Sequence, residues 1–253
     1  KIAIKTSDLL IIRNPYVILG IVLIGIFIVF LVSKMPQSKD ENNFPSIGDT
    51  IFALKNNTNY IFGVIAQILY VGAQIMCWTY VYQYAEAINI DAVTAGYYQM
   101  IAFVLFIIGR AIGTYLLKHT NPGKLLLSFA ILSIALIQGT IFITGIVGLY
   151  ALVGVSFFMS IMFPTIYGIA LSDLTEEQSK IGSAGLVMAI VGGALMPKLQ
   201  GLIIDAGGNG VADIKILGVS EVNFSFTLPL ICFSFIAWYG LKVFKNTAQK
   251  NNI

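Results

Sequence analysis

Of the 253 residues, 57% are hydrophobic and only 11% charged, and the mean hydropathy is +0.86. An average soluble domain carries roughly 25% charged residues, so a water-soluble core is excluded. The net charge is +3, and the basic residues are spread around the ends of apolar stretches rather than gathered in one patch, which leaves no footprint for nucleic acid.

A membrane-spanning helix needs about 20 mainly apolar residues at a rise of roughly 1.5 Å each. Seven stretches meet that length, near 16–33, 61–84, 95–117, 125–144, 147–171, 181–204 and 223–241. Barrel strands would be shorter and would alternate apolar with polar residues, whereas the run from Val17 to Val32 is apolar all round. The fold class is therefore an all-α membrane protein with seven transmembrane helices. The chain opens at Lys1 on a mixed polar segment (Lys5, Thr6, Ser7, Asp8) rather than on the basic tip and apolar core of a signal peptide. With no initiating Met, the expectation is a fragment of a longer chain.

The one long polar stretch follows the first span. It carries Lys34, Pro36, Lys39, Asp40, Glu41, Asn42, Asn43 and Pro45 and divides one span from six, which is where a domain boundary belongs. The predicted organisation is a first segment 1–33 with one helix, a central loop 34–60, and a six-helix bundle 61–253. Six spans with both ends on one side form one half of a transporter built from two six-span halves, and the lone first span is then the last helix of a missing N-terminal half. One set of connections holds Lys34, Lys39, Lys55, Lys118, Lys124, Lys180, Lys242, Lys245 and Lys250, against Lys1, Lys5, Arg13 and Lys215 on the other side. By the positive-inside rule the loop 34–60 and the C-terminus are cytoplasmic. A complete seven-helix receptor or retinal protein is the alternative; it would want a Lys in mid-membrane in the last span, and Lys242 and Lys245 lie beyond that span.

Polar residues inside spans point to function, because each is unfavourable in hydrocarbon unless it meets a partner or a water-filled cavity. In the second span Gln67, Tyr70, Gln74, Trp78 and Tyr82 share one broad face. Amides bond sugar hydroxyls in both directions and an indole face packs on a ring's C–H surface. The same Tyr residues also suit an interfacial belt, and the Gln residues interhelical hydrogen bonds. The third span opens with Tyr97, Tyr98 and Gln99 and carries Arg110 near its cytoplasmic end, where it reads as an anchor. His119, alone in the next connection, reads as a solvated loop residue rather than a metal ligand. The fifth span places Ser156, Ser160, Pro164 and Tyr167 at near-helical spacing. Pro164 removes a backbone donor, so a kink or an opened carbonyl is expected, whether for a transport site or merely for packing. Gly185, Ala189 and Gly193 of the sixth span have the small-xxx-small spacing of close helix contact. Cys77 and Cys232 lie in apolar spans and read as packing residues.

Three runs resemble a known family: Tyr70-Val71-Gly72-Ala73-Gln74-Ile75-Met76-Cys77-Trp78-Thr79, Met162-Phe163-Pro164-Thr165-Ile166-Tyr167-Gly168-Ile169-Ala170-Leu171 and Ala184-Gly185-Leu186-Val187-Met188-Ala189-Ile190. Together they resemble the L-fucose:proton symporters of the major facilitator superfamily, over its C-terminal half from Phe62 to Tyr239. Gly109-Arg110 with Gly113, and Pro122-Gly123-Lys124, look like the superfamily's degenerate cytoplasmic loop motif. The resemblance implies alternating access around a central site and the co-transport of a monosaccharide, L-fucose, with a proton across a bacterial inner membrane. Sister permeases for glucose, galactose or N-acetylglucosamine are the nearest alternative. Gln67, Gln74, Trp78, Gln99, Ser160 and Tyr167 are the candidate sugar-binding residues, with Tyr167 expected opposite Trp78. Arg110, Gly113, Pro164, Gly185 and Gly193 are the candidate structural or gating residues. All twelve acidic residues fall in loops or at span ends, so the titrating carboxylate of proton coupling is expected in the missing half. No metal or cofactor is implied. A membrane-bound enzyme would need a catalytic pair inside the spans, and a sugar sensor would need an added soluble domain; neither is visible.

Overall fold

The computed structural model describes residues 2–33, 47–208 and 210–250. The chain divides into two compact units, Lys1–Phe44 and Pro45–Ile253. In the first, α1 (Ile2–Val32) is a single helix with Pro15 inside it. The first predicted span is the latter part of this longer helix, with its apolar stretch at Pro15–Val29. Residues 34–46 of the predicted loop, Lys34, Lys39 and Pro45 among them, lie outside the described residues.

The second unit begins with α2 (Ile47–Asn56), a helix where the sequence reads only as polar loop. It buries Leu54 against Tyr60, Ala170 and Leu186. The six predicted spans of this unit follow as α3 (Thr58–Thr79) with α4 (Val81–Ala87), α5 (Ala92–Leu117), α6 (Pro122–Phe142), α7 (Ile146–Met159) with α8 (Met162–Leu171), α9 (Glu176–Met188) with α10 (Gly192–Ile204), and α11 (Glu221–Ser225) with α12 (Thr227–Lys250). Among the described residues six helical stretches are long and apolar enough to cross a membrane, one for each of these spans.

Four of the six spans are broken, and two breaks follow directly from proline. Pro164 has no N–H for the carbonyl of Ser160, and its ring crowds that carbonyl, so the chain leaves the helix at Ser160–Ile161. Pro229 stands in the same relation to Ser225, and the last span turns at Phe226. The third break, a 3-10 turn at Ala189–Val191, precedes Pro197 in α10. The fourth, at Tyr80, has no proline; the Tyr80 hydroxyl donates to the Pro197 carbonyl at 2.7 Å.

Side-chain caps start the helices where the sequence turns polar. Asn57, Asp91, Asn121 and Thr175 each accept from a backbone N–H of the following turn, and Thr175 with Gln178 closes a capping box. At Asp91 the donors are the Thr94 N–H at 3.0 Å and the Thr94 hydroxyl at 2.8 Å. They hold the carboxyl below its ordinary value. Between α10 and α11 a short hairpin pairs Lys215–Ile216 with Val219–Ser220, and Leu217 and Gly218 both take positive φ at its tip, as a two-residue turn of this hand requires.

The core gathers on α3, which packs against α8, α10 and α12. Glycines set these distances: an added Cβ on Gly192 would run into the Ile68 carbonyl, and one on Gly72 into the Met196 side chain. The spans of α5 and of α9 with α10 are the least covered, with 17% and 22% of their apolar windows buried against 44–56% in the other four. This pair of spans therefore presents most of its apolar surface outward.

Gly192→Ala should lower the melting temperature of the solubilised protein, at about 1–3 kcal/mol for overpacking. Gly168→Ala is the control, because nothing lies within 4 Å of a Cβ there. It should hold or raise the melting temperature, since Ala is the better helix former.

Candidate functional site

Gln67, Tyr70, Gln74 and Trp78 fall on one side of α3, and the structure joins them to α5, α7 and α8. Trp78 is half-buried, and its indole N–H donates to the Ser156 hydroxyl of α7 at 3.2 Å. Phe103 and Phe106 of α5 meet its ring edge-on, with centroids at 5.0 and 5.1 Å. One rim of the indole is thus fixed by three neighbours, in the edge-to-face geometry that aromatic quadrupoles favour. Gln74, one turn below on the same side, is also half-buried.

A second aromatic cluster sits two turns further along α3. The buried Tyr70 hydroxyl donates to the Met159 carbonyl at 2.9 Å, an acceptor at the end of α7. Phe163 of α8 meets Tyr70 edge-on at 6.2 Å and stacks on Tyr167 at 6.4 Å. Tyr167 therefore reaches α3 through Phe163 and Tyr70, about 12 Å along the helix from Trp78 at 1.5 Å per residue, rather than meeting the indole itself.

The other sequence-predicted residues divide by surroundings. Gln67 is fully buried, and neither amide atom has a hydrogen-bond partner among the described residues; the Gln99 carbonyl oxygen on α5 is in the same condition. The buried Ser160 hydroxyl donates to the Phe157 carbonyl at 2.7 Å, satisfying backbone at the α7–α8 break. Gly113 packs against the Ile161 side chain of that break, and Gly109 against the Phe157 carbonyl and Ser160, so α5 backs the break closely. Arg110, between these glycines, is exposed. Gly185 lies against the Tyr60 hydroxyl, and Gly193 against Val71 and Ile75. Pro164 lines a cavity at the end of the bundle that holds the α3 N-terminus.

Several features escaped the sequence reading. Phe103 and Phe106 look like any other apolar residues of a span, and only packing marks them as the seat of Trp78. Lys198 lies inside the fifth membrane-spanning stretch of this unit and is exposed; a pass over span interiors for charge would have found it. Glu221 sits at the first residue of its span, as an end position should, yet it is fully buried. Its Oε1 accepts from the Asp213 N–H at 2.9 Å and its Oε2 has no partner among the described residues. Nearby, Asn223 donates to the Thr140 carbonyl at 2.9 Å and ties α11 to the end of α6. Cys77 and Cys232 are free and buried. Among the described residues no three His, Cys, Asp or Glu side chains converge as metal ligands.

Residues 6–197 match the Major Facilitator Superfamily. The chain belongs to the major facilitator superfamily. Its likeness to individual members is graded. It is 48% identical over 246 residues to the L-fucose-proton symporter of Haemophilus influenzae, covering 97% of this chain and 56% of the relative. It is 32% identical to the L-fucose-proton symporter of Escherichia coli K12, covering 92% and 52%. The putative glucose/galactose transporter of Helicobacter pylori J99 follows at 31%, covering 95% and 56%. Among solved structures, the superfamily transporter FucP in its outward conformation superposes with a TM-score of 0.76 at 30% identity, over 91% of this chain and 54% of that one. The chain thus spans about half the length of the curated relatives it matches. All of these relatives are named as transporters, and this superfamily member is a multi-pass membrane protein.

In this superfamily fold the buried Gln67 is energetically exposed to substitution. A buried amide without partners is unfavourable by about 1–3 kcal/mol, and an apolar side chain of similar shape removes that penalty. Gln67→Met should therefore raise the melting temperature of the purified protein, measured by differential scanning fluorimetry.

Proposed function

We propose that this chain is the C-terminal part of an L-fucose:proton symporter working by alternating access, its six-span bundle rocking against an N-terminal half of the same polypeptide around a central sugar site. The observation that carries the reading is the 48% identity to one relative named for L-fucose and proton, against 32% to a second of that name and 31% to one named for glucose and galactose, over nearly the same share of this chain. The outward apolar faces of α5 and of α9 with α10 support a partner half, because they are the least covered surfaces of the described bundle.

In this reading Trp78 and Gln74 form this half's wall of the sugar site. Phe103, Phe106 and Ser156 hold the indole in place before any ligand arrives, which lowers the ordering penalty on binding. The indole face packs on the sugar ring and the Gln74 amide bonds a hydroxyl. Gln67 and Gln99, whose amide oxygens lack partners, supply further hydrogen bonds through water or on rearrangement. Tyr167 lines the path nearer the α3 N-terminus. The proton-coupling carboxylate comes from the N-terminal half, since the carboxylates of this bundle stand at span ends. Gly113 and Pro164 serve the bending of α7 and α8, with Arg110 as an anchor, and Gly185 and Gly193 the packing of α9 and α10 on the α3 side.

Uptake and binding with the full natural polypeptide test this. L-Fucose should compete more strongly than D-glucose or N-acetylglucosamine. Trp78→Ala in folded protein should weaken L-fucose binding by about 1–3 kcal/mol, roughly ten- to hundredfold. Competition by glucose alone would move the chain to the glucose/galactose permeases, binding without uptake would make it a sensor, and unchanged fucose affinity in Trp78→Ala would refute the wall.

The membrane is the bacterial inner membrane, with the C-terminus in the cytoplasm. Lys118, Lys124, Lys180, Lys242 and Lys245 fall in the connections on one side of the alternating spans, an asymmetry that supports this orientation. In right-side-out vesicles an impermeant thiol reagent should modify Asp213→Cys and spare Lys245→Cys. The reverse pattern would invert the topology.

A further inference from the structure

Among the described residues, one face of α8 borders a cavity. Pro164, Gly168 and the C-cap residue Ser172, spaced by four, lie above one another on this helix and at its end and line a cavity of about 500 Å³. The break at Ser160–Ile161 frees α8 from the line of α7, and Gly168 leaves the middle of the face open, with nothing within 4 Å of an added Cβ. The volume falls within the roughly 300–1,000 Å³ of small-molecule sites.

The walls select a chemistry. Among the described residues no Lys, Arg or His lines this cavity, so the wall offers no cation to a phosphate or a carboxylate ligand. The polar groups are the amides of Asn59, Asn121 and Asn246, several hydroxyls, and the Asp173 carboxylate, which accepts from the Asn59 amide at 3.5 Å and can accept from a ligand hydroxyl. The Asn121 carbonyl oxygen already accepts from the Gly123 and Lys124 N–H groups at 2.9 and 3.3 Å, which leaves its NH₂ to donate. Asn59 donates to the Ile169 carbonyl at 3.1 Å and retains acceptor capacity shared with Tyr239. Amides that both donate and accept suit hydroxyl groups, while the apolar side chains of Ile169 and Val243 suit a C–H surface. A compact neutral molecule with both kinds of surface is a monosaccharide.

We infer that the cavity beneath α8 is a second, weaker site for a neutral monosaccharide, distinct from the Trp78 wall. Asn59 is 19 residues before Trp78 on α3, roughly 28 Å along the axis at 1.5 Å per residue, so one sugar cannot occupy both places. The inference rests on the sugar-transport reading above. On the orientation given there the cavity opens on the side to which sugar is delivered. It fills only as product accumulates, and an occupant wedged under α8 opposes movement at the Ser160–Ile161 break.

The test uses the purified full natural polypeptide and L-fucose as probe, titrated with ligand-observed NMR and calorimetry. Two classes of site are expected. Gly168→Leu, which fills the cavity from a position with free space around it, should weaken the looser class at least about tenfold and leave the tighter one intact. Trp78→Ala should do the reverse. Melting curves verify that each variant is folded; should Gly168→Leu not fold, Asn246→Ala, at the exposed end of α12, carries the same expectation. A single class of site would overturn the inference, as would a weaker class untouched by the folded cavity variant. Stronger displacement of the weaker class by D-glucosamine than by L-fucose would overturn the neutral-ligand assignment. If Trp78→Ala spares the tighter class while the cavity variant removes the looser one, the central-wall reading fails and the cavity site stands.

Discussion

The closeness of α3 to α10 governs the arrangement of the bundle. In lipid, helices gain little from the hydrophobic effect on meeting one another and associate through close packing instead. Gly192 over the Ile68 carbonyl, Gly72 against Met196 and Gly193 against Val71 and Ile75 bring the two helices together. That contact fixes the rotation of α3 about its own axis. The residues on its other side, a hundred degrees or so round the helix, must then turn toward α5, α7 and α8, which is where Tyr70 and Trp78 find Met159, Phe163, Ser156, Phe103 and Phe106.

The breaks act on the same neighbourhood. A backbone carbonyl without a donor is tolerated at membrane depth only where protein or a cavity receives it. At Ser160–Ile161 the Ser160 side chain turns back on the Phe157 carbonyl, the Tyr70 hydroxyl takes the Met159 carbonyl, and Gly109 and Gly113 bring α5 against the opened turn. The Pro164 break is thus supported by two neighbouring helices, and α8 beyond it is a short half-helix with one open face. A helix held on one side and free on the other can change angle with little repacking, as the proposed alternating access requires.

Unmet polar groups are spread over several helices, with Gln83 on α4, Ser133 on α6 and Gln200 on α10 beside those of α3 and α5. Gln67 and Gln99 carry amide oxygens that neither helix satisfies, and Lys198 places a charge within the apolar stretch of α10. Such groups lower the stability of the resting bundle and are kept where water, a ligand or an approaching surface supplies the missing bond. Glu221 differs: half of its carboxylate is used to hold the Asp213 N–H in the connection before α11, which makes it a strut of that connection.

How much was legible beforehand follows from what each property depends on. The six spans of the bundle and the break before Pro164 are local matters of hydropathy and a missing N–H, so the sequence determined them; hydropathy alone started the spans near 61, 95, 125 and 181, after the caps at Asn57, Asp91, Asn121 and Thr175 that the structure shows. The three runs around Trp78, Pro164 and Gly185 were enough to place the chain among its relatives. Helix α2 was missed because ten residues with two charges carry no spanning signal and are held by burial of Leu54 against distant residues. Only the tertiary structure decided that Trp78 rests on Phe103 and Phe106, that Tyr167 stands two turns away behind Phe163, and that Glu221 is buried at a span end. A sequence specifies which residues share a helical face; which other helix that face meets is set by the close glycine contacts and the angle of each break, quantities that exist only once the helices have packed.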